Sequence, residues 1–113
     1  MHELSLLAAL RDQALAAAHA DGASRITAIR LRVGQLAGVE IDALRFAFPV
    51  VMAGTIAAEA ELRIACEPAE CFCAACAAPF PVPDGGCDCP RCGAISRQLL
   101  RGRDLRLLEL EVE

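Results

Sequence analysis

Hydrophobic and polar positions follow two different periods along the chain, and these periods predict two helices and three strands. Helical spacing of apolar side chains covers residues 3 to 20 and recurs from Ile41 to Met52. Period-two alternation covers residues 25 to 34, 60 to 66 and 105 to 112. The order of these elements predicts an α+β fold in which two helices pack on a three-stranded sheet.

A proline interrupts the second predicted helix. Pro49 has no backbone N–H to donate, and inside a helix this costs roughly 3 kcal/mol. The sequence leaves two outcomes open: the helix kinks at Pro49, or it ends early.

Composition narrows the class of protein. The chain has 113 residues, enough for one small core with at most a compact attached lobe. Aromatic residues make up 4%, so a thick core is not expected. The net charge of -4, from 11 basic residues against 15 acidic ones, argues against nucleic acid as the partner. The N-terminal segment lacks the basic start of a secretion signal, and no apolar run is long enough to span a bilayer, so we expect a cytoplasmic protein without a membrane partner.

The cysteine pattern predicts a metal site. Thiols stay reduced in the cytoplasm, so the seven cysteines are expected to be metal ligands more than disulfides. Cys73 and Cys76 form one CxxC pair, and Cys89 and Cys92 form a second after twelve intervening residues. Two such turns can place four thiolates at the corners of a tetrahedron, the arrangement that Zn²⁺ takes in closed, structural sites. These four cysteines are therefore the predicted zinc ligands.

Three cysteines remain outside this set. Cys66 is predicted to be buried on the apolar face of the second strand, where a free thiol behaves as a small hydrophobe. Residues 71 to 76 and 87 to 92 share the pattern CxCxxC. Cys71 or Cys87 could therefore replace a neighbouring ligand, or six thiolates could share two zinc ions. A redox role for this pair is a lesser alternative.

The cysteine-rich segment is predicted to be a zinc-ribbon-like lobe, residues 67 to 102, inserted before the last strand of a domain formed by residues 1 to 66 and 103 to 113. Its apolar core is expected to be small, so metal binding supplies much of its folding free energy. Its main bulky apolar side chains are Phe72, Phe80, Val82 and Ile95.

The amino terminus offers a second, weaker metal motif. The terminal amine of Met1, the amide nitrogen of His2 and its imidazole can surround one ion with nitrogen donors in a plane, which suits Ni²⁺ or Cu²⁺. Most second-position histidines simply lie in frayed termini, so this motif alone does not establish a site. The other histidine, His19, lies near the end of the first predicted helix and is assigned no function.

Several segments occur together in one order: the start MHELS, the segment RVGQLAGVE ending at Glu40, the stretch LRFAF, the two CxxC pairs, and the end GRDLRLLELEVE. Together they resemble the HypA/HybF family of hydrogenase maturation nickel metallochaperones, and the resemblance covers essentially the whole chain. This co-occurrence is far more specific than any single motif.

The resemblance implies a function and a set of ligands. It implies that Met1, His2 and Glu3 bind Ni(II) as transferred cargo, and that the paired cysteines bind structural Zn(II). It further implies that the protein delivers nickel, with a HypB-type GTPase, to the large-subunit precursor of [NiFe]-hydrogenase. Glu40 is carried over only as a nickel-site or partner contact. Service to urease maturation proteins and formation of a homodimer stay open.

Two other classes of protein were weighed. The first is a zinc-ribbon adaptor that binds protein or nucleic acid, but the acidic net charge and the scarcity of aromatics for base stacking oppose nucleic acid. The second is an enzyme. Two histidines, no lysine and no glycine-rich phosphate loop leave no identifiable catalytic or nucleotide site, so no enzymatic activity is expected and GTP hydrolysis would come from a partner. The contact surface of an adaptor would be the basic cluster of Arg97, Arg101, Arg103 and Arg106.

Overall fold

The computed structural model describes residues 2–83 and 86–113, and of His2 it describes the backbone alone. Neither of its helices is long and apolar enough to cross a membrane. The strands form two three-stranded sheets, of order β2-β1-β6 and β4-β3-β5. The elements are α1 (His2–Ala20), β1 (Ile26–Gly34), α2 (Ile41–Met52), β2 (Glu61–Glu67), β3 (Glu70–Cys73), β4 (Ala78–Pro81), β5 (Gln98–Arg101) and β6 (Leu105–Val112).

The first sheet and the two helices form the predicted α+β architecture. β1 is the central strand, and its side chains are buried at most positions. Leu7 and Leu44, from α1 and α2, are fully buried, and Ile29 and Leu31 from β1 are nearly so. The prediction of two helices packed on a three-stranded sheet, with an inserted lobe that carries the cysteines, is confirmed.

The second helix continues through its proline. α2 runs from Ile41 to Met52, so it does not end at Pro49. Pro49 is exposed and so is Arg45, whose carbonyl loses its helical donor; water can hydrate that carbonyl at the surface. Thr55 stabilises the end of the helix, because its hydroxyl donates a hydrogen bond of 2.8 Å to the carbonyl of Met52.

The chain divides into two compact units. One comprises the chain up to Arg32 together with Val39–Ala65 and Arg106–Glu113, and the other comprises Val33–Gly38 and Cys66–Leu105. The second unit has a core of its own, in which thiols replace the usual aliphatic side chains. The buried members of that core are Ala69, Cys71, Cys73, Phe80, Val82 and Cys89.

The sequence did not predict the sheet β4-β3-β5 of this second unit. β3 is its central strand, and Cys71 lies opposite Phe80 of β4 and Leu99 of β5. Phe80 and Val82 are buried, as expected for core residues. The prediction for Ile95 is wrong: it is 73% exposed, because it lies in an isolated bridge with Asp88, outside the three-stranded sheet.

The segment from Val33 to Gly38 is held by close backbone contacts within the second unit. Gly34 lies against the backbone of Gly102, and a Cβ atom at Gly34 would overlap the carbonyl of Gly102. The next residue, Gln35, accepts a hydrogen bond of 2.7 Å from the amide of Ala69 and donates one of 2.5 Å to the carbonyl of Val82. Gln35 therefore ties this segment to both ends of the β3–β4 hairpin.

Replacing Gly34 by alanine is expected to lower the free energy of unfolding by about 2 kcal/mol, because the added methyl group must displace buried backbone. Gly38→Ala is a matched control in the same segment: its Cβ would meet open space, and only the positive φ of +73° opposes it. That control should lose about 1 kcal/mol. Urea unfolding of the two variants measures the difference, and a Gly34→Ala protein as stable as Gly38→Ala would contradict the close contact.

Candidate metal centre

The first CxxC pair lies in the turn of the β3–β4 hairpin. Cys73 is the last residue of β3, and its sulfur accepts a hydrogen bond of 3.4 Å from the amide of Cys76. The residue after this pair, Ala77, has a φ of 53°. A residue with a Cβ pays about 1 kcal/mol for that left-handed conformation, so the surrounding contacts must enforce the turn.

The second CxxC pair lies in a turn of its own. The amide of Cys89 donates to the carbonyl of Ala94, and the amide of Gly93 donates back to the carbonyl of Cys89, both at 2.8 Å. Gly93 follows the pair and has a φ of 74°, which glycine adopts without a steric cost. Each pair is thus followed by a residue with positive φ, a feature that the two turns share.

The two turns bring four sulfur atoms together. The Sγ atoms of Cys73, Cys76, Cys89 and Cys92 all lie within 4.8 Å of one another. The distance is 3.5 Å from Cys73 to Cys92 and 4.0 Å from Cys76 to Cys89. A tetrahedral zinc ion with bonds of about 2.3 Å separates its sulfur ligands by about 3.8 Å. The donor set and its spacing therefore fit a four-thiolate metal centre, with all four positions filled by protein.

Burial differs among the four ligands. Cys73 and Cys89 are 2% exposed, Cys76 is half-buried and Cys92 is exposed. The centre is therefore buried at Cys73 and Cys89 and open to solvent at Cys92, and the open side gives an ion a path of entry.

Close packing of the thiols gives Cys76 and Cys89 very different pKa values. Hydrogen bonds with the side chains of Cys92 and Cys73, together with burial, raise the pKa of Cys76 to about 12. Burial acts in the same direction on Cys89. There it is outweighed by hydrogen bonds from the backbone amides of Cys92 and Arg91 and from neighbouring side chains, which lower the pKa of Cys89 to about 6. Without a cation, Cys89 ionises readily and Cys76 resists ionisation.

Arg91 is a residue at this centre that the sequence analysis did not single out. It lies inside the second CxxC pair, and its interaction with the sulfur of Cys89, opposed only in part by desolvation, raises the pKa of Arg91. Its guanidinium also donates to the carbonyl of Pro79 at 3.4 Å. Four thiolates around a divalent ion carry an excess of negative charge, which a neighbouring guanidinium offsets. The signal available in the sequence was an arginine between two predicted ligands.

The remaining cysteines lie outside the group of four. The sulfurs of Cys71 and Cys87 are 3.9 Å apart, and burial raises the pKa of the Cys71 thiol. Among the described residues the mutually close group holds four sulfurs, not six. The prediction that Cys66 is buried is wrong: it is exposed, because β2 is an edge strand and the burial of its apolar face does not extend to Cys66.

Of the predicted nickel ligands, the structure describes the side chain of Glu3 alone. Met1 and the side chain of His2 lie outside the described residues. Glu3 is half-buried in the first turn of α1. His19 is exposed in the last turn of that helix, and Glu40 is exposed and directly precedes α2.

The basic cluster proposed for an adaptor is exposed but partly neutralised. Arg101 forms an ion pair with Glu70 at 3.4 Å. This pairing reduces the positive charge that the cluster presents to a phosphate backbone. The exposed members are Arg97, Arg101, Arg103 and Arg106.

A known family model matches nearly the whole chain. The family model described as "Hydrogenase/urease nickel incorporation, metallochaperone, hypA" matches residues 1–112. The match therefore includes the amino terminus, both CxxC pairs and the last strand.

Individual relatives agree with this match. The chain is 39% identical to the hydrogenase maturation factor HypA of Picosynechococcus sp. over 112 residues, covering 99% of each chain. It is 43% identical to that of Chloroflexus aggregans, covering 98% of each. Its fold resembles the solution structure of the Ni metallochaperone HypA from Helicobacter pylori, with a TM-score of 0.71, 24% identity and coverage of 97% and 96%.

Zn²⁺ binding is expected to displace about one more proton near pH 5 than near pH 7.5, because metal ligands must lose their protons. Cys89, with a pKa of about 6, is a thiolate at the higher pH and a thiol at the lower one. Cys76, with a pKa of about 12, gives up a proton at both. Calorimetric titration in buffers of different ionisation enthalpy counts these protons.

The exposed Cys66 supplies the control for this measurement. Cys66→Ser should leave the proton count unchanged, because Cys66 lies outside the group of four. An equal number of protons displaced at the two pH values would contradict the lowered pKa of Cys89.

Proposed function

This chain belongs to the HypA family of hydrogenase/urease nickel-incorporation metallochaperones, and from that premise we propose that it binds Ni(II) at its amino terminus and delivers it, with a HypB-type GTPase, to the [NiFe]-hydrogenase large-subunit precursor. The observation that carries the proposal is the family match over residues 1–112, which includes the first three residues. Nickel is cargo in this function, and the family is one of metal carriers, not of catalysts.

The start of α1 supports nickel binding by backbone nitrogen. The helix begins at His2, and the first four amides of a helix have no carbonyl acceptor within it. The amides of His2 and Glu3 are therefore not committed to helical hydrogen bonds, and one can lose its proton to become a nickel ligand. With the amine of Met1 and the imidazole of His2, this gives the nitrogen donor set that Ni²⁺ favours.

The same location keeps the binding reversible. The positive end of the helix dipole lies at the start of α1 and disfavours a bound cation. Glu3, an acidic side chain in the first turn, offsets this effect in part. An ion to be handed on must be able to leave, so a site balanced in this way suits delivery.

Among the two histidines, only His2 can serve this site. His19 lies seventeen residues further along the same helix, a distance of about 26 Å at 1.5 Å per residue. His19 therefore cannot join the same coordination shell, and it serves as a control for His2.

The four-cysteine centre is proposed to hold structural zinc. Zn²⁺ matches the thiolate donors and the spacing of Cys73, Cys76, Cys89 and Cys92. With its four positions filled by protein, the ion stabilises the second unit and has no open site for cargo. Arg91 reduces the negative charge of the centre.

The partner proteins follow from the same premise. The chain has no lysine and no glycine-rich phosphate loop, so a separate HypB-type GTPase supplies nucleotide hydrolysis. The exposed carboxylate of Glu40 is proposed to contact the nickel site or a partner. Service to urease maturation and a homodimeric state are compatible with this scheme.

His2→Ala, and separately acetylation of the terminal amine, are each expected to abolish binding of one Ni²⁺ per chain to the zinc-loaded protein, because each removes a nitrogen donor. His19→Ala should bind like the wild type. Isothermal titration calorimetry measures stoichiometry and affinity. Unchanged nickel binding in both altered amino termini would place the cargo site elsewhere.

Delivery is tested with the partners present. Nickel-loaded protein, the GTPase, GTP and the hydrogenase large-subunit precursor are incubated, and nickel in the reisolated precursor is measured by mass spectrometry. His2→Ala is expected to reduce transfer to the level seen without the chain, because it does not load. If wild type and His2→Ala deliver equally, the amino terminus is not the carrier site.

A further inference from the structure

Two cysteines of the second unit form a close pair that the metal centre does not use. Cys71 lies on β3, 1% exposed, and Cys87 is half-buried. Their sulfurs are 3.9 Å apart, with the Cys71 thiol donating to Cys87. They stand apart from the group of four, because alternate residues of an extended chain share a face but lie about 7 Å apart. Each member of the pair precedes a predicted ligand by two residues.

Hydrogen bonds hold the two backbones in register. Ser96 donates from its amide to the carbonyl of Cys87 at 2.7 Å, and from its hydroxyl to the carbonyl of Phe72 at 2.6 Å. Phe72 is the neighbour of Cys71 on β3, so Ser96 links the strand that carries one thiol to the segment that carries the other. The pair is therefore positioned by structure, not by chance approach of flexible side chains.

The separation is short enough for a bond. A disulfide has a sulfur–sulfur distance of about 2.05 Å, so closure requires an approach of about 1.9 Å, within reach of side-chain rotation and small backbone shifts. In the group of four, a bound metal ion draws on the sulfur electron pairs and so makes those thiolates weaker nucleophiles toward an oxidant. Cys66 is an exposed free thiol.

We propose that Cys71 and Cys87 are a dithiol that a peroxide oxidises to a disulfide while the four-cysteine centre keeps its metal. The more accessible Cys87 reacts first: its thiolate attacks one peroxide oxygen, the O–O bond breaks, and the departing hydroxide takes a proton to leave as water. Cys71 then attacks the sulfur of the Cys87 sulfenic acid. The S–O bond breaks, and the hydroxide leaves as a second water with the Cys71 proton.

The electrons balance in this sequence. Each sulfur loses one electron and the peroxide gains two, so that two thiols and one peroxide give one disulfide and two waters. The product ties β3 directly to the segment that carries the second CxxC pair. The proposal does not depend on nickel binding, and nickel titration of the same protein is read separately.

The experiment uses the zinc-loaded full chain with Cys66→Ser as parent, so that the exposed thiol does not react. Hydrogen peroxide is added, and intact mass, released zinc and the positions of disulfides are followed by mass spectrometry and a colorimetric chelator. The expected product is lighter by two hydrogens, has Cys71 linked to Cys87, and retains its zinc.

Single substitutions distinguish the cysteine that reacts with peroxide from the cysteine that then closes the disulfide. Cys87→Ser should abolish the disulfide, and Cys71 should resist trapping by dimedone because it is buried. Cys71→Ser should instead accumulate a dimedone-trapped sulfenic acid at Cys87. Peptide mapping of the parent protein identifies the disulfide directly, so this test holds even if substitution of the buried Cys71 prevents folding. A first disulfide that involves any of the four predicted ligands, zinc release that accompanies the first oxidation, or oxidation of Cys87 without a bond to Cys71 would each overturn the proposal.

Discussion

Four sulfur atoms must share one small volume, and the second unit is organised around that constraint. Without a cation, close packing of the four sulfurs makes ionisation harder for Cys76. The neighbouring thiols and burial raise its pKa to about 12. Two of the same four residues, Cys73 and Cys89, also belong to the unit's small apolar core. The apolar core and the metal centre therefore share two residues. Removal of an ion from such a site weakens packing as well as coordination, because two of the four ligands, Cys73 and Cys89, are also buried core residues.

A short segment outside the cysteine-rich region completes this unit. Gly34 allows the backbone to approach Gly102 more closely than any side chain would permit, and Gln35 bonds to backbone groups of Ala69 and Val82. In the sequence, Gly34 and Gln35 belong to the segment RVGQLAGVE, one of those that resemble the HypA/HybF family. The structure adds a physical reason for them: the glycine provides room and the amide provides both a donor and an acceptor. The β3–β4 hairpin, and with it the first CxxC turn, is anchored at its open end by this segment.

Periodicity predicted the long elements well and the short ones not at all. β6 has the predicted bounds, Leu105–Val112, and α1 begins within one residue of its predicted start. β3, β4 and β5 have four residues each, too few for alternation to be distinguished from the cysteine spacing. Cys66 lies on an edge strand and Ile95 in an isolated bridge outside the sheet. Both predictions of burial were wrong because burial at such positions depends on neighbours that a single chain segment does not reveal. The convergence of the four cysteines could be predicted from spacing, since a CxxC turn fixes its own geometry; the contribution of Arg91 depends on where its guanidinium reaches in three dimensions.

The two proposed ions need different ligands: structural zinc must stay bound, whereas cargo nickel must be able to leave. A permanent ion needs charged, soft donors in a closed shell, and the four cysteines of the two CxxC turns can provide them. A cargo ion needs ligands that can be replaced one at a time by those of an acceptor. The donors proposed for the cargo ion are a terminal amine, an amide and an imidazole. The dipole of α1 disfavours a cation at the start of the helix, and the acidic Glu3 in its first turn offsets this effect only in part. Placing the thiolates at the terminus would give tight binding and slow release, whereas nitrogen donors at a chain end leave the coordination shell open to an approaching acceptor.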